Sequence, residues 1–358
     1  MALADEMVTA AVDADDAALE FEGALCRFAA LLELADPTAA TALRQAADAA
    51  ERSRLPHARY LVRSREAAWA LLQGRFQEGA RLSDEAAVLA EAIGEPDGTG
   101  VAATQRLAVA LAREGPSGVA PVLEEFGDAG LPYEFLPHGR CFAHLAAGRP
   151  EEAAAVLRAL PAAEELSRFR WRVLAGLALD VEIAVGAGVT EVCEDRYRRL
   201  LPYERETVVI GGGVAVLAPV ALYLGLAGTG PEAATHLEDA LTSADRLGAR
   251  PIAARARLEL GRVLLAREPA GRRGRALLSE ALTAAEDQGL GWLRDRARTA
   301  LAHADTGQVF HREGQLWTLG YRRTGPAGPH RRGERGHRHR LRRRDGVDRR
   351  ILDARTGP

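Results

Sequence analysis

One phrase recurs along this chain and limits what it can fold into. An apolar, helix-like stretch runs into a short break containing glycine, and a second stretch then opens with an acidic residue and alanine. It reads WALLQGRFQEGARLSDEAAVLA from Trp69, FAHLAAGRPEEAAAVLRAL from Phe142 and LYLGLAGTGPEAATHLEDAL from Leu222, and the copies align on Gly74, Gly148 and Gly228. Weaker breaks at Gly115, at Gly186 and near Ala270 give steps of about 41, 33, 38, 42 and 42 residues. That is the period range of paired-helix repeats. A single pair cannot bury its apolar stripes, so such units stack into arrays with one continuous core.

Within the units the spacing is helical. Leu82, Ala86, Leu89 and Ala90 recur at three and four positions, as do Leu237, Leu241, Ala244 and Leu247, which puts one apolar stripe on one face. Breaks fall at Gly94-Glu95-Pro96-Asp97-Gly98, Gly148-Arg149-Pro150, Gly230-Pro231 and Gly248-Ala249-Arg250-Pro251. The last of these has glycine closing one helix and proline opening the next. Hydrophobic residues make up 47% of the chain, yet aromatics are only 5%, because Ala, Leu and Val supply nearly all the apolarity, as in helices. The sequence therefore predicts an all-α, tetratricopeptide-like helical-repeat solenoid of about six pairs over residues 15–305. It is preceded by a flexible N-terminus, 1–14, and followed by a short β segment, 306–321. There HREGQLWTLGY has the Thr, Trp and Tyr content of a strand, with a hairpin partner around Val309 and Phe310. Residues 322–358, dense in Arg and Gly and poor in apolar residues, are expected to be disordered.

Composition excludes several chemistries. All 47 basic residues are Arg. Without Lys there is no P-loop, no protein-kinase strand lysine and no Schiff-base or pyridoxal amine. Cys26, Cys141 and Cys193 are far apart and form no C-x-x-C pair, which suggests neither a disulfide framework nor a zinc ribbon and fits a reducing cytoplasm. The acidic start MALADEMVTAAVDADDAALE is no signal peptide, and no apolar run reaches the roughly 18 residues of a membrane span. The formal charge of −3 hides an asymmetry, because 322–358 holds 13 Arg against Glu334, Asp345, Asp348 and Asp353. Arg331, Arg332, Arg342, Arg343 and Arg344 are candidate polyanion contacts of the salt-dependent, non-specific kind, since no aromatics are interleaved for base stacking.

The stretch VVIGGGVAV, residues 208–216, raises the possibility of a phosphate-cradling turn. A dinucleotide turn needs G-x-G-x-x-G, but Gly211-Gly212-Gly213 is followed by no glycine until Gly225. It reads instead as a connection between a helix ending near Leu201 and one containing LAPVALYLGLAG, with Pro219 in its first turn. His138, Cys141 and His144 are zinc-binding types, but three-residue helical steps spread the outer two by about 120°, so they read as packing residues. The acidic residues are assigned to solvated helix faces. No catalytic residue, metal site or cofactor is expected. Tyr203, Glu204, Arg205 and Tyr223, around the glycines, are the one place where titratable groups could converge. Tyr203, Arg205 and Tyr223 are the candidate ligand or partner contacts.

Four stretches together carry a resemblance: GRFQEGARLSDEAAVLAEAIGEPD, LLPYERETVVIGGGVAVLAPVALYLG, HLEDALTSADRLGARPIAARARLELGRVLL and VFHREGQLWTLGY. They resemble the C-terminal repeat region of large bacterial ATP-binding regulators, the LuxR-type, maltose-regulator-like signal-transduction ATPases and their cyclase-fused relatives. The similarity covers roughly residues 15–321 and is most specific at Leu200 to Gly225 and Val309 to Tyr321. It implies tetratricopeptide-like repeats that sense an inducer or partner beside an N-terminal ATPase module, with a DNA-binding helix-turn-helix ending some members. This chain begins inside the repeats and has no Walker motif, so ATPase activity is not carried over. After Tyr321 it turns to Arg, Gly and Pro where a further partly apolar segment is expected, as either a functional basic tail or a shifted reading frame would produce. The resulting expectation is a non-catalytic, cytoplasmic sensor and scaffold of a transcriptional or signalling regulator. A protein partner or small-molecule inducer would sit on the repeat surface, on a concave face made by the first helices of successive pairs, with an ATPase module in the parent protein and no membrane partner. The alternatives are a nucleic-acid-associated protein that binds through its tail, and a fragment with no activity of its own.

Overall fold

The computed structural model describes residues 2–126, 135–161 and 169–304, and the backbone of 305–306, 309–313, 316–320 and 339–342. Its class is all-α, as the periodicity predicts. The helices are α1 (Ala2–Asp13), α2 (Ala17–Glu33), α3 (Ala39–Ser53), α4 (Pro56–Leu72), α5 (Phe76–Ile93), α6 (Gly98–Glu114), α7 (Val119–Phe126), α8 (Leu136–Ala146) and α9 (Pro150–Arg158), followed by α10 (Arg170–Ala187), α11 (Thr190–Leu200), α12 (Val220–Ala227), α13 (Gly230–Leu247), α14 (Arg250–Arg267), α15 (Arg272–Gln288) and α16 (Gly291–Thr306). Successive helices pack as antiparallel pairs, among them α2 on α3, α4 on α5, α13 on α14 and α14 on α15. None of the described helices is long and apolar enough to cross a membrane.

The apolar stripes go where their spacing points. Leu82, Ala86 and Ala90 of α5 and Leu237, Ala244 and Leu247 of α13 are buried, while the opposite faces meet solvent. Inner helices differ in kind. In α10, Leu174, Leu177, Val181, Ile183 and Ala184 bury more than one face, and nearly all of α12 is buried. A helix that is apolar all round belongs inside, and these two are surrounded by other elements. The breaks follow the expected punctuation: Gly248 closes α13 in the left-handed conformation (φ 65°), and Pro251 lies in the first turn of α14.

Two features of the sequence reading are corrected. Residues 2–13, expected to be flexible, form α1, which packs on α2 and buries Ala4 and Ala11. Residues 207–219, expected to be a simple connection between helices, form a β-hairpin. Strand β1 (Thr207–Ile210) pairs antiparallel with β2 (Ala215–Pro219), in the register Val209 to Val216 and Ile210 to Ala215. The Val220 amide donates to the Glu206 carbonyl at 2.8 Å and closes the base of the hairpin, and Pro219 caps α12. Strand β1 is short, β-branched and almost wholly buried, and pairing with β2 satisfies the backbone groups that face across the hairpin.

The hairpin sits at the centre. Strand β1 touches α2 and α10, and β2 touches α4, α6, α12 and α13. Around it the helical array closes on itself, for α4 also meets α14, and α6 meets α16. Gly115, at the end of α6, makes the second contact possible: its φ is +64°, and a Cβ there would lie 2.6 Å from the Trp292 ring of α16. The Arg113 Nε donates to the Gly289 carbonyl at 3.5 Å across the same seam.

Beyond the helices, strands Val309–Glu313 and Leu316–Gly320 pair antiparallel, and His339–Arg342 pairs with the second of them. A strand over 339–342 differs from the disorder expected for 322–358. The rest of that tail, with the side chains of Arg331, Arg332, Arg342, Arg343 and Arg344, lies outside the described residues.

Candidate ligand-binding site

The glycine turn is held by side chains from two helices. Gly211, Gly212 and Gly213 all have positive φ, and a Cβ on Gly213 would stand 2.8 Å from the Phe28 ring. Arg65 of α4, buried at 8% exposure, donates from Nη2 to the Gly211 carbonyl (3.1 Å) and from Nε to the Gly212 carbonyl (3.3 Å). Its Nη1 donates to the Ser64 hydroxyl at 2.8 Å. Gln105 of α6 donates from Nε2 to the Ser64 carbonyl (2.7 Å) and the Val214 carbonyl (3.1 Å). These contacts put guanidinium donors on carbonyl oxygens, the reverse of a phosphate cradle, in which backbone N–H groups face an anion. The turn is a fastened structural element.

Beside the hairpin lies a cavity of about 470 Å³. The first helices of successive pairs, α4, α6, α8, α10, α12 and α14, contribute to its wall together with α16 and β2. These helices, expected to form an open concave face, here line an interior space. One side of that space is apolar, with Ala68, Leu71, Leu111, Phe142, Leu217 and Leu226. The other carries Glu182, Arg255, Glu259, Arg262, Arg296 and Tyr223 around the indole of Trp292.

The polar side is tightly organised. Arg255 Nη1 and Nη2 donate to Glu182 Oε1 and Oε2, each at 2.6 Å, a bidentate pair. Burial works against the Arg255 charge, but the Glu182 carboxylate outweighs it and raises the guanidinium's pKa. Although Arg255 lies deep, 21% of its side chain is reachable by solvent, and the cavity is what that surface faces. Glu259, at 4% exposure, is shared: its Oε2 accepts from Arg262 Nη1 at 2.8 Å, and its Oε1 lies 2.8 Å from Arg296 Nη1 without the alignment of a hydrogen bond. The Arg296 guanidinium sits over the Trp292 ring, 4.6 Å from its centroid, and Arg255 lies 5.5 Å from the same centroid. Burial lowers the Arg296 pKa. Burial also pushes the Tyr223 phenol well above the ordinary tyrosine range, so it stays a donor.

No known family's sequence profile matches this chain, and no curated protein matches it. The site therefore rests on its own geometry.

The candidate residues separate. Tyr223, 3% exposed, lines the cavity. Tyr203 is half-buried against the core elsewhere, and Arg205 is exposed, with only a 3.9 Å contact to its neighbour Glu204. His138, Cys141 and His144 gather no metal: no cluster of three or more metal-binding side chains occurs among the described residues. His138 Nε2 lies 3.0 Å from Asp180 Oδ1, and Asp180 Oδ2 accepts from Arg196 Nε at 2.8 Å. The Cys141 thiol donates to the Ala153 carbonyl at 3.6 Å, and burial, with the Asp180 carboxylate, pushes its pKa up to about 11. Buried pairing accounts for His138 Nε2 and the Cys141 thiol, whereas the buried Nδ1 atoms of His138 and His144 have no hydrogen-bond partner among the described residues.

The sequence reading missed Glu182 and Glu259, because it assigned the acidic residues to solvated faces, and with them their partners Arg255 and Arg296. Asp180, at 3% exposure, and Glu259 overturn that assignment. A signal was present. RPIAARARLELGRVLL places Arg255, Glu259 and Arg262 four and three residues apart, at spacings that bring them to neighbouring turns, and RWRVLAGLALDVEIAVGA sets Asp180 and Glu182 in an apolar run. Charges that interrupt an apolar run go inward with it, where they must find partners.

Proposed function

We propose that this chain is a non-catalytic sensor in which a small molecule, held in the central cavity, sets the packing of the closed helical array. The cavity carries this reading: about 470 Å³, mostly apolar, with a few convergent polar groups on one side, it has the size and lining of a ligand site. The polar groups bind rather than react. Its carboxylates are engaged with guanidinium groups and its phenol is held protonated, which leaves no free base or nucleophile among the groups that line it.

The hairpin supplies the coupling. Val214, Ala215, Val216 and Leu217 form part of the cavity wall, and the same hairpin touches helices from both halves of the chain. A ligand that favours one hairpin position biases the helix seams α4 to α14 and α6 to α16 with it. The repeat phrases and their resemblance to regulator sensor regions support a setting in a bacterial transcriptional or signalling regulator, with any ATPase module supplied by the parent protein. Three cysteines without disulfides support a cytoplasmic one.

Thermal unfolding of the full chain against a panel of small organic metabolites tests this. Hits should raise the midpoint of the wild type and leave Ala108→Phe, in which a cavity-lining residue of α6 is enlarged, unmoved. No hit, or equal shifts in both proteins, contradicts the reading.

A further inference from the structure

The charges around the cavity do not balance, and the imbalance has a location. Arg255 and Glu182 neutralise each other through two hydrogen bonds. Glu259, in contrast, serves both Arg262 and Arg296, so three guanidinium groups face two carboxylates and one positive charge is left over at the Arg262–Arg296 edge. Both arginines keep unused donors toward solvent or the cavity, since 48% of the Arg262 side chain and 27% of Arg296 are reachable. The Arg296 guanidinium carbon lies over the Trp292 ring and its Nη1 lies against Glu259, which leaves in-plane N–H groups of the kind an acid group takes edge-on. Tyr223 lines the same space, where its hydroxyl can donate to a ligand acceptor.

We propose that the cavity takes a singly charged organic acid with an apolar body. Its acid group lies against Arg262 and Arg296, within reach of Tyr223, and its body lies between the hairpin and the apolar wall of α4, α6 and α12. The inference rests on the reading of the cavity as a ligand site and adds the class of ligand. A neutral molecule leaves the surplus charge without a counter-charge, an organic cation adds to it, and a polyphosphate brings several negative charges to a place with one to offset.

Two fluorescent probes with one skeleton separate the possibilities: 1-anilinonaphthalene-8-sulfonate, an apolar monoanion, and N-phenyl-1-naphthylamine, which lacks the acid group. Titrated into the folded full chain, the anion is expected to bind one per chain and about tenfold or more tighter than the neutral probe. Arg296→Gln should abolish that preference while leaving the neutral probe's affinity unchanged, and Ala108→Phe should weaken both. Arg262→Gln, at a half-exposed position, repeats the test if Arg296→Gln fails to fold. Equal affinity of the two probes for the wild type overturns the inference but leaves the ligand-site reading standing. Binding of neither probe removes both, and binding of both that ignores Ala108→Phe places the probes elsewhere and overturns the inference.

Discussion

Two regions that border the hairpin are each built around arginine, and they differ in what the guanidinium meets. At the glycine turn, Arg65 has no carboxylate partner among the described residues, and burial pulls its pKa down. Its donors go to the carbonyls of Gly211 and Gly212 and the hydroxyl of Ser64, and Phe28 closes the space above Gly213. At the cavity, Arg255, Arg262 and Arg296 meet carboxylates too few to match them and an open volume. In the first arrangement every guanidinium nitrogen has an acceptor. In the second, charge, donors and space remain for something else. The contrast separates a buried arginine that fastens a fold from partly exposed arginines that are proposed to recognise a ligand: the criterion is whether donors and volume are used up.

The largest effect that could break this comparison is at the turn. Gly213→Val combines a φ of 92° with a clash against Phe28 and should cost about 4 kcal/mol in urea unfolding. A loss below about 1 kcal/mol would mean that the turn is not locked. Next comes Glu182→Gln, which strips Arg255 of its anion and should cost about 3 kcal/mol, read from the same unfolding curves. A neutral outcome would mean that water in the cavity already solvates Arg255. Arg65→Leu orphans two carbonyls for about 2 kcal/mol and should leave probe binding in the cavity intact. If binding fell together with stability, the two regions would be one functional unit. Smallest is Arg52→Ala, at the exposed end of the Arg52–Glu20 pair, which should change unfolding by under about 0.5 kcal/mol. A larger effect there would mean that surface pairs, rather than the interior, organise the array.

Much of the scaffold was legible from periodicity and punctuation, because both report local physics. Leu82, Ala86 and Ala90 alternate as one face of a helix must, and Gly248 with Pro251 marks a helix end and a helix start whatever surrounds them. The hairpin was not legible for a related reason. VVIGGGVAV contains the β-branched flanks of a strand pair, but three glycines match no two-residue hairpin turn, and what specifies them is tertiary: Arg65 lies 146 and 147 residues from its acceptors. Of the site, only Tyr223 was anticipated. Glu182 and Arg255 lie 73 residues apart in sequence and meet only because the array closes, which no local pattern encodes.

The central claim is that the space beside the hairpin is a ligand-binding volume rather than part of the packed core, and the stability of Ala108→Phe tests it most directly. A larger apolar side chain in a mostly apolar binding volume should leave the protein as stable as the wild type or raise its stability by about 1 kcal/mol, while probe binding is lost. A fall of about 2 kcal/mol or more, as overpacking a filled core produces, would contradict the account.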